Sequence, residues 1–223
     1  MKYQTKTALL LAGMVVASAV YAGPVLPVAY DMPNGDGQAH GGSYNYWDRG
    51  YTGIGSTTTD GAFLSGGLGD LTDGIIATQN WYLTENNAGT GPYVGWLNVN
   101  PTIKFRFVGN PSISSVTLYL DDSNGAGGVN PPASIDLSVD GGPALSYPVT
   151  DPVSGAPFSV TLPIGQTVNN YIDVTLNRSY PWTFMSEVQF NDGSSRVPDG
   201  GATAALMAGG MALLAWARRR EQN

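Results

Sequence analysis

Tyr44, Tyr46, Trp47 and Tyr51 fall within eight positions of one another, and such a group can do chemistry by stacking. Flat rings cover the apolar faces of sugars while Asn, Asp, Gln and Arg side chains bond the hydroxyls. Trp81, Tyr82 and Tyr93 stand in similar loop-like stretches, the part of a scaffold that hosts ligands. Core packing is the competing role, and both remain open for the 44–51 cluster. Trp96, by contrast, reads as core.

Catalytic constellations find less support. His40 is the single histidine of the chain, so a Ser-His-Asp arrangement would have to use a residue of the Gly-rich stretch Gly37–Ser43. An exposed loop histidine is the simpler reading. Zinc catalysis lacks ligands, with one His and no Cys. A glycosidase needs two carboxylates held about 5–10 Å apart. Fourteen Asp and three Glu make such pairs easy to find by chance, and most Asp stand beside Gly, Pro or Asn, where turns account for them. Gly53-Ile54-Gly55 and Gly66-Gly67-Leu68-Gly69 resemble phosphate loops only in composition, because neither opens a helix after a buried strand. The chain is expected not to be an enzyme, with a secreted glycan hydrolase as the least favoured alternative.

The elements that would position these residues are strands. Thr102–Val108 alternates apolar and polar, with Ile103, Phe105 and Phe107 on one face. Ser115–Leu120, Ser134–Val139, Phe158–Leu162, Tyr171–Leu176 and Trp182–Phe190 repeat the pattern. Gly-Asn-Pro, Asp-Asp-Ser-Asn-Gly and Asp-Gly-Gly-Pro between them supply turns, and short strands at this spacing predict a β-sandwich. Tyr30–Leu68, rich in Gly, Thr and Tyr, is expected to form long ordered loops with one or two edge strands. Residues 23–197 hold 15 acids against 5 bases (Arg49, Lys104, Arg106, Arg178, Arg196), a net charge of −10. That balance excludes a nucleic-acid partner, which needs a basic face. Without cysteine, an exported domain gains nothing from disulfides and relies on packing or a metal.

The order Leu71-Thr72-Asp73-Gly74, Tyr93-Val94-Gly95-Trp96, the strands Thr102–Val108 and Ser115–Leu120, and Ser186-Glu187-Val188 near the end resembles the galactose-binding-like, discoidin-type β-sandwich, a jelly roll, over about residues 28–192. The resemblance implies sugar-binding or adhesion roles. It also implies one structural calcium where an early Asp-Gly loop meets an acidic residue near the last strand, positions that Asp73 and Glu187 match. Calcium takes six to eight oxygens, from carboxylates and from carbonyls freed by a Gly turn. An Asx turn at Asp73 and a solvated Glu187 are the alternative.

Both termini speak of delivery. Lys2 and Lys6 precede the apolar run Ala8–Val20, and Val20-Tyr21-Ala22 offers a signal peptidase its site, with cleavage expected between Ala22 and Gly23. At the other end Val197-Pro198-Asp199-Gly200-Gly201 precedes an uncharged run, Ala202–Ala217, closed by Arg218-Arg219-Arg220. Sixteen residues at about 1.5 Å each reach about 24 Å, a short membrane span with arginines kept cytoplasmic. This three-part tail resembles the PEP-CTERM sorting signal, in its VPDSG-type variant, with Gly200 where that pattern has serine. The resemblance implies cutting by an exosortase near 197–201. The organisation expected is a signal peptide at 1–22, a sandwich at 23–196 and a sorting signal at 197–223 (motif 197–201, transmembrane helix 202–217, basic tail 218–223). The protein would be exported, held briefly in the inner membrane, then placed at the cell surface or in the matrix to bind or scaffold exopolysaccharide. A purely structural coat protein is the alternative.

Overall fold

The computed structural model describes residues 21–196; residues 1–20 of the expected signal peptide and the whole expected sorting tail, Val197–Gly201 included, lie outside them. Gly23–Gly193 forms one compact unit. Its strands are β1 (Tyr21–Val25), β2 (Ala29–Pro33), β3 (Phe63–Gly67), β4 (Val94–Leu97), β5 (Thr102–Arg106), β6 (Ser112–Leu120), β7 (Ser134–Val139), β8 (Leu145–Pro148), β9 (Phe158–Thr167), β10 (Tyr171–Asn177) and β11 (Trp182–Arg196). One sheet runs β1-β11-β6-β9, with β4 also paired to β11, and the other runs β3-β2-β5-β10-β7-β8. The ladders among β2–β11 are antiparallel. Among the described residues no helix is long and apolar enough to cross a membrane; one short helix, α1 (Trp81–Thr84), interrupts the strands.

The period-two pattern decides which side chains enter the core. β10 alternates half-buried Tyr171, Asp173 and Thr175 with buried Ile172, Val174 and Leu176. β5 supplies Ile103 and Phe105, and β6 supplies Ile113, Val116, Leu118 and Leu120. Residues of both sheets join one apolar cluster, in which Phe190 of β11 sits 5.1 Å from Phe105 and 5.0 Å from Phe107. This is how two antiparallel sheets bury their inner faces as a sandwich. A turn with left-handed backbone at Asp140 and Gly141 links β7 to β8. The Asp140 carboxylate accepts the amides of Asn169 and Asn170, both at 2.7 Å, and of Tyr171 at 3.0 Å, tying that turn to the start of β10.

The first third meets expectation in part, with β3 an edge strand. β2 is not an edge strand; it lies between β3 and β5. Asp31 disguises it, since a carboxylate in a strand suggests solvent, yet Asp31 is 5 % exposed. Arg106 grips Asp31 Oδ2 through Nε at 2.9 Å and through a second guanidinium nitrogen, while Ser65 Oγ and the Gly66 amide donate to Oδ1 at 2.8 and 2.9 Å. Burial pushes this carboxyl up, but the hydrogen bonds from Arg106, Ser65 and Gly66 outweigh it and hold it below the usual range.

Candidate functional site

Asp73 and Glu187, 114 positions apart, are brought together by a bulge and a turn. The ladder between β11 and β6 shifts register between Met185 and Glu187, and such a bulge re-aims the side chain beside it. Glu187 is thereby buried, and its Oε2 accepts the Gly74 amide at 3.2 Å. Ser186 Oγ accepts the Ala77 amide at 3.3 Å, fixing the same loop a second time. Asp73 is exposed and also makes the Asx turn foreseen as the alternative, its Oδ1 accepting from Ile75 N at 2.7 Å.

The structure adds two carboxylates to this pair. Asp48, fully buried, accepts the Tyr30 hydroxyl and, at 3.0 Å, the Asp70 amide. Asp70 begins a single turn of 3₁₀ helix, Asp70–Thr72, and with Asp73 lines a cavity of about 200 Å³ that Thr90, Gly91 and Pro92 close. Burial raises Asp70 to about 7, and repulsion from Asp48 and Asp73 adds to it. Burial raises Asp48 to about 6 against the hydrogen bonds that lower it, with Asp73 pushing upward. Glu187 rises to about 7, by burial first and then by Asp73, although the Gly74 amide lowers it. Among the described residues no lysine or arginine forms an ion pair with any of the four.

Glycines make the room. A Cβ on Gly69 would lie 2.2 Å from Asp48 Oδ1, and one on Gly50 would lie 2.7 Å from Asp70 Oδ1. Gly91 does the same for Glu85, whose carboxyl a Cβ there would meet at 2.3 Å. Glu85 is buried, accepts the Tyr93 amide at 2.9 Å, and has no hydrogen-bond partner for Oε2 among the described residues. Burial raises it to about 8, aided by Asp70 and Asp121. These carboxylates repel one another electrostatically, no lysine or arginine among the described residues pairs with them, and glycine backbone passes close to three of them. Sequence reasoning missed Asp48, Asp70 and Glu85. Gly69, dismissed with the phosphate-loop reading, was the one local sign of the cradle.

The aromatic cluster separates ring by ring. Tyr46 is 2 % exposed and packs 4.7 Å from Phe184 and 5.0 Å from Trp182. Tyr51 is buried, its hydroxyl donating to Tyr30 O and accepting from Gly67 N at 2.8 Å. Neither ring can present a face to a sugar, and the expected four-residue ligand surface is corrected to this extent: an apolar layer consumed half of it. Tyr44 and Trp47 stay half-exposed, and Tyr82 is 47 % exposed. Trp96 is wholly buried, as expected, with Nε1 donating to Pro33 O at 2.8 Å. Tyr93 is buried too. Trp81 is 8 % exposed, and its Nε1 has no partner among the described residues. A cavity of about 50 Å³ opens between Tyr46, Trp81, Trp182 and Phe184. Trp47 contacts the loop that walls the acidic cavity, since a Cβ on Gly89 would lie 3.1 Å from its ring.

Residues 27–192 match the family described as discoidin domain-containing receptor 1/2, DS-like domain. Epithelial discoidin domain-containing receptor 1 of Mus musculus is 24% identical over 160 residues, covering 63% of this chain and 18% of the receptor. Among solved structures, an exo-β-1,3-galactanase from Phanerochaete chrysosporium with galactose superposes with a TM-score of 0.32 at 18% identity, over 44% of this chain and 22% of the enzyme. The same enzyme in a variant form with β-1,3-galactotriose gives 0.31 at 20%, over the same shares. The chain thus spans about a fifth of the length of these relatives. With the match running almost the whole length of the sandwich, the chain belongs to the DS-like domain family of the discoidin domain-containing receptors.

Proposed function

We propose that this protein is an exported, non-catalytic surface or matrix module, a calcium-braced discoidin-like sandwich that binds or scaffolds polysaccharide. The observation that carries the reading is the mutual repulsion of Asp48, Asp70, Asp73 and Glu187, with no basic side chain paired to them among the described residues, on loops near Trp47. A bound Ca²⁺ supplies the positive charge that these carboxylates lack. Asp48 and Asp70 fix the 48–50 loop to the 70–74 loop, and Glu187 anchors both to β11. Held in this way, the half-exposed rings of Tyr44 and Trp47 keep one orientation and can stack on a sugar with little ordering cost.

Two measurements on the full chain test this. Calcium titration should raise the melting temperature, and Asp73→Ala combined with Glu187→Ala should abolish the rise; an unresponsive wild type ends the calcium reading. Affinity electrophoresis in gels containing soluble polysaccharide should then show retardation that Trp47→Ala or Tyr44→Ala removes and that EDTA weakens. Absence of retardation across a broad glycan panel would leave a structural coat protein.

Delivery completes the proposal: signal peptidase cuts between Ala22 and Gly23, Ala202–Ala217 halts in the inner membrane, and an exosortase cuts near Val197–Gly201. The residue pattern of the termini supports this route. Mass spectrometry of the mature protein from its host fixes both ends.

A further inference from the structure

We propose that Asp36, His40 and Asp60 form a second metal site, separate from the carboxylate cluster, for a first-row divalent transition ion of the Zn²⁺ kind. Their ligand atoms all lie within 4.8 Å of one another. His40 Nδ1 stands 2.7 Å from Asp60 Oδ2 and 3.2 Å from Asp36 Oδ1. A ring nitrogen carries one proton at most, so two carboxylate oxygens converge on a donor able to serve only one of them well.

The other oxygen of each carboxylate is already committed. Leu97 N donates to Asp36 Oδ2 at 2.8 Å, and Trp47 Nε1 donates to Asp60 Oδ1 at 2.6 Å. These outer contacts aim Asp36 Oδ1 and Asp60 Oδ2 at the imidazole, as second-shell donors orient metal ligands. The two carboxylate side chains are only 9 % and 5 % exposed. His40 is held by a tight 3₁₀ turn, Gln38–His40, closed by Gly41 in the left-handed region, and its ring is 53 % exposed. Its open side leaves room for water as a further ligand.

One imidazole nitrogen with two carboxylate oxygens is a borderline set that favours Zn²⁺, Co²⁺, Ni²⁺ or Mn²⁺ over Ca²⁺. Bonds of about 2.0–2.2 Å require the three ligand atoms to draw together slightly, which an exposed histidine on a short turn can do. The ion would replace the Nδ1 proton and relieve the repulsion between Asp36 and Asp60. It would also join the Gly37–Ser43 loop to the 47–60 segment.

The test uses the full chain in detergent, stripped with EDTA and then saturated with Ca²⁺ so that the carboxylate cluster is filled. Co²⁺ is titrated as the probe, followed by its d–d absorption and by quenching of tryptophan fluorescence. One Co²⁺ per chain should bind and be displaced by Zn²⁺, and Trp47→Phe, which removes the donor that aims Asp60, should shrink the quenching and weaken binding. His40→Gln, on an exposed side chain whose loss leaves the core intact, and Asp60→Asn should each weaken binding by at least about tenfold. No binding below millimolar Co²⁺, equal binding by folded His40→Gln, or displacement of Co²⁺ by Ca²⁺ would overturn the assignment.

Discussion

Gly69 and Asp48 stand 21 residues apart, yet the backbone of one passes so close to the carboxylate of the other that a methyl group has no place between them. Gly69→Ala should therefore either push Asp48 off its hydrogen bonds to Tyr30 and Asp70 or open the 68–70 loop. Overpacking of this kind costs about 1–3 kcal/mol, measurable by chemical denaturation, and it should weaken calcium binding at the same time. Wild-type stability with unchanged calcium affinity in this variant would deny the cradle its purpose. At this scale much was illegible in the sequence. Asp48 sits in an aromatic run, where Tyr46, Trp47 and Tyr51 draw the eye, and nothing local shows that its side chain points inward. Asp73 and Glu187 could be named because a family pattern ties an Asp-Gly loop to the last strand; Asp70 and Glu85 carry no such mark. Tyr46 and Tyr51 show the converse, for a ring in a Gly-rich loop looks exposed until the fold buries it, Tyr46 under a second aromatic layer of Trp81, Trp182 and Phe184 and Tyr51 in the main core beside Tyr30.

At the scale of elements, β11 does two jobs. It joins β6 and β4, and its bulge delivers Glu187 to the 70–74 loop. Beyond the bulge Asp192 accepts the Gly23 amide at 3.1 Å. With the cut expected after Ala22, that amide becomes an α-ammonium, and its hydrogen bond to the carboxylate becomes an ion pair. Asp192→Asn should then lower the stability of the processed protein by about 1 kcal/mol, more at low salt, and affect the unprocessed chain less. Equal losses in both forms would show that the new terminus is not held there. Strands such as β5, β7 and β10 were legible because one face meets the core and the other meets solvent, so alternation survives in the residues. β2 was not, because Arg106 makes Asp31 tolerable inside a sheet. Arg106→Ala should cost about 1–3 kcal/mol, since Asp31 stays buried with an unmet charge while the guanidinium itself is half in solvent.

For the whole molecule, the acidic groups make stability a function of pH, and under the proposed calcium site of calcium as well. Asp48 at about 6, Asp70 and Glu187 at about 7, and Glu85 at about 8 all titrate above the ordinary carboxylate range. Raised folded-state values mean that the folded chain binds more protons than the unfolded one. Their contribution to stability is complete below about pH 4 and is lost as pH rises through 6 to 8. Asp31, held low, acts in the opposite sense only at acid pH, outside that window. The chain in EDTA should accordingly melt at progressively lower temperature from pH 5 to pH 8. If calcium binds as proposed, it should reverse the trend, because it would take the deprotonated carboxylates and expel their protons. At a hundredfold excess over its dissociation constant a ligand adds about 2.7 kcal/mol, equivalent for a domain of this size to about 5–10 °C. That rise should appear at pH 8, shrink at pH 5, and vanish at both in the Asp73→Ala, Glu187→Ala double variant. Scanning calorimetry at the two pH values, with calcium and with EDTA, decides the matter. A calcium-induced shift as large at pH 5 as at pH 8 would mean that the ion binds away from these carboxylates, and the loops bearing Trp47 would need another brace.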